Sequence, residues 1–360
     1  MYNSRTGLKD REPLAPNSIH IELANQIYNP GDVVKGMIVC NISRRMWCDT
    51  ITVTMNGEVR VFWVEQFIST TALRSQTSFE QKKTLVSETK TVWESTSRAP
   101  PSVTLTEILR RASPYTIRQA NLPKDEQVEF VGLEPGVHRY RFQFQLPRKG
   151  LYSSFALPEN SDIKAAVKYS INVLATTCGV IQRSATYNFG VGVEADLNRD
   201  GDRLAQQRAE KETWHCRGGT ADAVLTLPKT GYTIGEPLCA SVVVCNHSGA
   251  SIKFASVNIL RKTVCIARTP HFSTKTHFFE TGGSVLPLHK IECGQRAEWT
   301  AALNVPALTP NLCIEEFLHT EYFVQLSLGM ERGNPKKAQT LIQIPITIGS
   351  EQLIMDPAIR

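Results

Sequence analysis

Residues 138–146 read His-Arg-Tyr-Arg-Phe-Gln-Phe-Gln-Leu. Apolar or aromatic side chains fall at every second position, and Arg139, Arg141, Gln143 and Gln145 fill the places between. Successive side chains of an extended backbone point to opposite faces, so the pattern predicts a β-strand with one buried and one wet side. The same period recurs along the chain. It is carried by Ile19, Ile21 and Leu23, by Ile51, Val53 and Met55, and by Val167, Tyr169, Ile171 and Val173. In the second half it returns with Trp299, Ala301, Leu303 and Val305, with Tyr322, Val324, Leu326 and Leu328, and with Ile342, Ile344, Ile346 and Ile348. Many such stretches, separated by Gly, Pro and Asn turns, predict an all-β fold of sandwiches or barrels.

The two halves repeat each other. Tyr28-Asn-Pro-Gly31-Asp32 leads into Val39-Cys40-Asn41, and Tyr232-Thr-Ile-Gly235-Glu236 leads into Val244-Cys245-Asn246. Each copy continues into an alternating strand, from Ile51 and from Ile252. Leu146-Pro147 precedes the Tyr169 strand as Val305-Pro306 precedes the Tyr322 strand. Pro30-Gly31 suits the centre of a type II turn, whose second central residue needs φ > 0. The pattern predicts two tandem immunoglobulin-like β-sandwich domains, a duplication and not a solenoid of short repeats. With 360 residues, the expected division is an N-terminal tail over 1–17, a first sandwich over 18–196, a polar linker over 197–220, a second sandwich over 221–350 and a C-terminal tail over 351–360. Within the linker a short solvated helix is predicted from Arg203 to Glu212. Thr104-Leu-Thr-Glu107 is a capping-box pattern before Ile108 and Leu109, and Pro114 would end the helix it opens, so one short helix is expected in the first domain.

Composition narrows the function. Hydrophobic residues make up 41% and charged residues 21%, and the formal net charge is +6. That charge is diffuse, which fits contact with a membrane surface or acidic partner segments and argues against nucleic acid as the partner. The opening MYNSRTGLKDREPLAPNS has no apolar core of a secretory signal, and Tyr2 stands where myristoylation needs Gly. No apolar run is long enough to span a bilayer. The expectation is a cytoplasmic chain, peripheral at most to the plasma membrane or endosomes. Its nine cysteines are expected to be reduced, and the sequons at Asn41 and Asn246 unused.

Catalytic patterns are missing: the chain has no G-x-S-x-G, no H-E-x-x-H and no P-loop. Gly190-Val-Gly192 lies in a strand pattern and opens no helix. His215-Cys216 and Cys245-Asn-His247 lack a second pair at zinc spacing. A non-enzyme without a cofactor is expected. Two constellations remain. Asp196, Asn198, Asp200 and Asp202, with Gly201, match the first half of a calcium loop, where oxygen side chains two residues apart wrap one hard cation. Position twelve is Gln207, which supplies no bidentate carboxylate, so a polar hinge of turn residues stands as the alternative. Arg139 and Arg141 share the polar side of one strand, and read either as a solvated face or as a surface for anionic tails and lipid headgroups.

Taken together, these segments resemble the arrestin superfamily, in particular the α-arrestins, the arrestin-domain-containing proteins. The residues that carry the resemblance are Tyr28-x-Pro-Gly31-Asp32-Val-Val-x-Gly36, Ile51-x-Val53-x-Met55-x-Gly57 and Val61-x-Trp63. Phe142-x-Phe144-x-Leu146-Pro147, Ser153-Ser154-Phe155, Gly231-Tyr232-x-x-Gly235-Glu236 and Ile344-Pro345-Ile346-x-Ile348-Gly349-Ser350 come after them in order. The resemblance implies two linked β-sandwiches and an adaptor that docks on cytoplasmic tails of receptors or transporters and joins them to ubiquitin ligases or trafficking proteins. Many α-arrestins carry a Pro-Pro-x-Tyr motif for WW domains; here the Pro-Pro pair Pro100-Pro101 is followed by Ser102-Val103, and no such motif occurs. A coat subunit of a retromer-like sorting complex is the alternative, and a calcium-regulated sensor a third.

Overall fold

The computed structural model describes residues 17–68, 74–95, 132–285, 290–330, 338–351 and 353. Strands dominate, as the alternation requires. In the first half, β1 (Ser18–Leu23), β3 (Val33–Ile42) and β8 (Gly136–Gln145) form one antiparallel sheet in the order β1-β3-β8. A second sheet runs β2-β11-β10-β5-β6, built from β2 (Ile27–Tyr28), β5 (Thr50–Ile68), β6 (Arg74–Glu94), β10 (Ile163–Thr177) and β11 (Val180–Val191). The short β9 (Phe155–Ala156) pairs with β10, and β4 (Met46–Trp47) with β7 (Gly132–Leu133).

The second half repeats the plan. Its larger sheet runs β14-β21-β20-β16-β17, from β14 (Gly231–Thr233), β16 (Phe254–Ala267), β17 (Ser273–Val285), β20 (Leu318–Gly329) and β21 (Gln339–Gly349), with β19 (Leu312–Ile314) on β20 as β9 lies on β10. Its smaller sheet is β12-β13-β15-β18, from β12 (Arg208–Cys216), β13 (Gly219–Leu227), β15 (Pro237–His247) and β18 (Arg296–Asn304). The inner faces of both sheets meet in a core of Ala223, Leu225, Val242, Val257, Val324, Ile344 and their neighbours, each of these six fully buried. The fold is the tandem β-sandwich expected from the periodicity.

The chain clusters into two compact units. One draws on segments within 1–58, 84–151 and 168–191, the other on 59–83, 152–167 and 192–360. Strands β5, β6 and β10 therefore each give residues to both units. The predicted helix at 203–212 is not formed. A 3-10 helix (Leu197–Asp200) and α1 (Gly201–Leu204) are followed by β12, which pairs with β13 along its whole length, from Arg208↔Leu227 to Cys216↔Gly219. The polarity of 208–216 belongs to an edge strand, which needs only Trp214 and Cys216 against the core and leaves the rest wet. The helix expected after Thr104 lies outside the described residues.

Candidate functional site: a basic groove beside β8

Strand β8 lies at the edge of the β1-β3-β8 sheet and pairs with β3 through Met37↔Arg141 and Val39↔Arg139. Phe142, Phe144 and Leu146 are buried, His138 and Tyr140 half-buried, and Arg139 and Arg141 exposed. The alternation read from the sequence thus places both arginines on the outer face. Among the described residues neither has an ion-pair partner.

A shallow groove of about 830 Å³ runs over this sheet, lined among others by Glu22, Lys35, Met37, Lys90, Arg141 and Gln143. Three of these are cations and one is an anion. Lys35 comes from β3 and is exposed on the same outer face. Lys90 comes from β6 and is held in place. Its ammonium donates to the Gln143 carbonyl at 2.7 Å, pairs with Glu88 at 3.0 Å and sits 4.8 Å from the Phe144 ring centroid. Cation–π and charge-assisted contacts of this kind fix a flexible side chain in one position. The groove therefore offers an apolar floor at Met37 and a cationic rim, which suits an extended acidic segment. The structure brings Arg141 together with Lys35 and Lys90; Arg139 lies two residues further along β8, outside the lining. Lys35 and Lys90 escaped the sequence reading because they lie about 50 residues or more from each other and from Arg141, in three strands. The wet position of Lys35 between buried Val34 and the Gly36 backbone was the available signal.

In the calcium-loop candidate, Asp196 and Asp200 have partners within the segment. Asp196 Oδ1 accepts from the Asn198 backbone N–H at 2.9 Å and from Asn198 Nδ2 at 3.1 Å, which caps the 3-10 helix. Asp200 pairs with Arg203 at 3.5 Å. Gly201 has φ −53°, so it continues the helical turn where a calcium loop would bend sharply. Beneath the segment Leu197 and Leu204 pack on Leu353. Among the described residues no group of three or more His, Cys, Asp or Glu side chains gathers to hold a metal, and no helix is long and apolar enough to cross a membrane.

The two halves of the chain have counterparts among known proteins. Residues 18–105 match the N-terminal domain of arrestin (or S-antigen), and residues 217–353 match its C-terminal domain. The chain belongs to the arrestin superfamily. This arrestin-superfamily chain is also similar to protein ttm-2 of Caenorhabditis elegans, at 20% identity over 349 residues, covering 91% of this chain and 87% of that protein. Proteins of the arrestin family are non-enzymatic adaptors that bind membrane receptors and trafficking factors. The two matched stretches contain both copies of the Tyr-x-x-Gly turn, at Tyr28 and Tyr232, and so coincide with the internal duplication.

Proposed function

We propose that this chain is an α-arrestin-type adaptor without catalytic activity, acting in the cytoplasm. In this reading it holds acidic or phosphorylated cytoplasmic tails of membrane proteins against β8. It then couples them to endocytic trafficking or ubiquitination machinery. The observation that supports the reading is the groove itself: Lys35, Lys90 and Arg141 line it against a single carboxylate, Glu22, and Arg139 lies two residues further along the same strand. Arginine holds carboxylate or phosphate through two parallel N–H donors, and lysine contributes point charge. These contacts are solvent-exposed, so each contributes about 1 kcal/mol at most and weakens with salt.

The test is binding of the full chain to a panel of acidic and phosphorylated receptor-tail peptides at low and moderate salt. R139E/R141E should fold normally and reduce affinity at least tenfold at low salt, with a flatter salt dependence. Full binding by a folded double variant would place the tail-binding surface elsewhere. Stoichiometric co-purification with one fixed complex, and no binding to tails, would favour a coat subunit.

A further inference from the structure

The inner face of β16 changes chemistry half-way along. Up to and at the register shift between Asn258 and Leu260 its inward residues are Val257 and Ile259, both fully buried in the aliphatic core. Beyond it the face carries Arg261, Thr263 and Cys265. The neighbours continue the polar patch. On β17, Phe279, His277 and Lys275 stand opposite Arg261, Thr263 and Cys265, and on β20 Tyr322 and Thr320 stand opposite Arg261 and Thr263. Segment 152–167 of the same unit reaches this patch with Phe155 and Asp162.

Arg261 is held like a plate between two rings. Its guanidinium carbon lies 5.4 Å from the Phe155 centroid and 5.2 Å from that of Phe279. It also interacts with the hydroxyl of Tyr322, a buried group that donates to the Thr309 carbonyl at 2.8 Å. Arg261 Nε is nevertheless buried with no hydrogen-bond partner among the described residues, and so is Nδ1 of His277. The two residues are diagonal neighbours on one face of a paired β16–β17 ladder, a separation that side chains of this length bridge. Lys275, two residues from His277, pairs with Asp162 at 2.6 Å. Asp162 thus faces both Lys275 and His277, and Arg261 is a second cation beside His277. Burial lowers the pKa of His277, Arg261 pushes it further down, and Asp162 opposes both. Leaving a buried polar atom unmet costs about 1–3 kcal/mol, and here two belong to diagonal neighbours on one face, the Arg261 donor and a ring nitrogen of His277 that donates once the ring is protonated.

We propose that this face is a binding site for a tetrahedral oxyanion, with Arg261 Nε and His277 Nδ1 donating to it and Lys275 adding charge. The chemistry required is that of sulfate, inorganic phosphate or a phosphate monoester. Arginine presents the matching fork, and its contacts with the Phe155 and Phe279 rings hold it in place. A bound dianion also favours protonated His277, so the histidine reports occupancy.

The experiment is an NMR pH titration of the histidine side chains in the full chain, with His277 assigned by H277Q, in chloride and in sulfate at equal ionic strength. Sulfate stays a dianion throughout. The His277 midpoint should rise by about 1 pH unit in sulfate, the size expected for an opposite charge at contact distance, while the other histidines move little. R261K keeps the charge and loses the Nε–H fork geometry, and should at least halve the shift; R261Q should abolish it. An unchanged His277 midpoint, or an equal shift of every histidine, overturns the proposal, and so does an undiminished shift in R261K. Inorganic phosphate and a phosphoserine peptide form the second arm. A response to phosphate alone assigns the site to the free ion, a response to both admits monoesters, and a response to neither overturns it. R139E/R141E should leave all these shifts in place, which separates this site from the tail groove.

Discussion

In the first copy of the repeated turn the Asn29 N–H donates to Asp32 Oδ2 at 2.7 Å; in the second the Thr233 N–H donates to Glu236 Oε2 at 2.9 Å. The backbone around them is the same. Asp32 N–H closes on Asn29 O at 3.0 Å and Glu236 N–H on Thr233 O at 3.2 Å, while Leu146 and Val305 donate to the Asp32 and Glu236 carbonyls at 2.9 and 3.0 Å. Gly31 and Gly235 take φ of 89° and 78°. The tyrosines are buried in both, and each sits in a short parallel pairing, Tyr28 with Val191 and Tyr232 with Ile348. What differs is the reach of the carboxylate. Glu236 is one methylene longer, and its other oxygen, Oε1, accepts from Lys229, whose side chain is nearly buried and lies 5.2 Å from the Tyr232 ring centroid. Asp32 is exposed and serves the turn. The duplication thus preserved the hydrogen-bonded turn, while the side chains around it diverged into an exposed cap and a buried ion pair.

The largest effect should come from breaking that pair. Glu236→Gln leaves the Lys229 ammonium buried and uncompensated and should cost about 3–5 kcal/mol, whereas Asp32→Asn should cost about 1 kcal/mol or less. Denaturant unfolding of the full chain reads both, and equal losses would break the distinction. A Lys229→Met/Glu236→Leu double variant should recover most of the loss, because removing both charges removes the desolvation problem.

The glycines sharpen the same comparison from the side of likeness. Gly31→Ala and Gly235→Ala should each cost about 1–2 kcal/mol, the strain of a left-handed conformation for a residue with Cβ. Space adds little at either site: nothing lies within 4 Å of a Cβ at 235, and at 31 the nearest atom is Arg148 Cγ at 3.1 Å, on an exposed side chain that can swing away. A difference above about 1 kcal/mol between the two would show that the turns are not equivalent.

Alkaline stability should be alike in the two halves and unchanged at neutral pH. Burial pushes the Cys40 thiol up to about 11, and Cys48 and Tyr140 up to about 12, from ordinary values of 9.0 and 10.0. In the second half burial pushes Cys265 up to about 12 and raises Tyr232 and Tyr322. A raised folded-state value means the folded protein holds its proton longer. This contribution to stability is complete below pH 9 and is lost as pH rises from about 9 to about 12. Cys40→Val and Cys265→Val should each make the fall in unfolding free energy between about pH 8 and about pH 11 shallower. No change in either profile would contradict the assignment.

The smallest expected effect is local. Among the described residues the smaller sheets differ by one strand, β1-β3-β8 against β12-β13-β15-β18, and the extra member is the edge strand β12. Amide exchange followed by mass spectrometry should release 208–216 before 219–227 without affecting global stability, because edge strands open first. Protection of 208–216 equal to that of 219–227 would make β12 a full core member.

Much of this was legible in the chain. Alternation alone orients Arg139 and Arg141 outward, because a slip of one residue would bury both and expose Phe142 and Phe144. The repeated Tyr-x-x-Gly announces the duplication because a turn with positive φ admits few residues. Strand β12 was not legible. Its Arg-Ala-Glu-Lys-Glu-Thr reads as solvated chain, and only pairing with β13 makes it a strand. The basic rim was half-legible: Arg141 comes from period two, whereas Lys35 and Lys90 join it through the β3–β8 register and the Lys90–Gln143 hydrogen bond.

The sequence by itself determined which side chains face inward, where the chain turns and that one sandwich was made twice, because these depend on neighbours about two to four residues apart. Which charges meet was decided by the tertiary structure alone. Arg261, His277 and Asp162 converge only after a register shift in β16 is set and segment 152–167 is laid beside it. Such long-range placement depends on the summed packing of every strand between, and no local pattern encodes it.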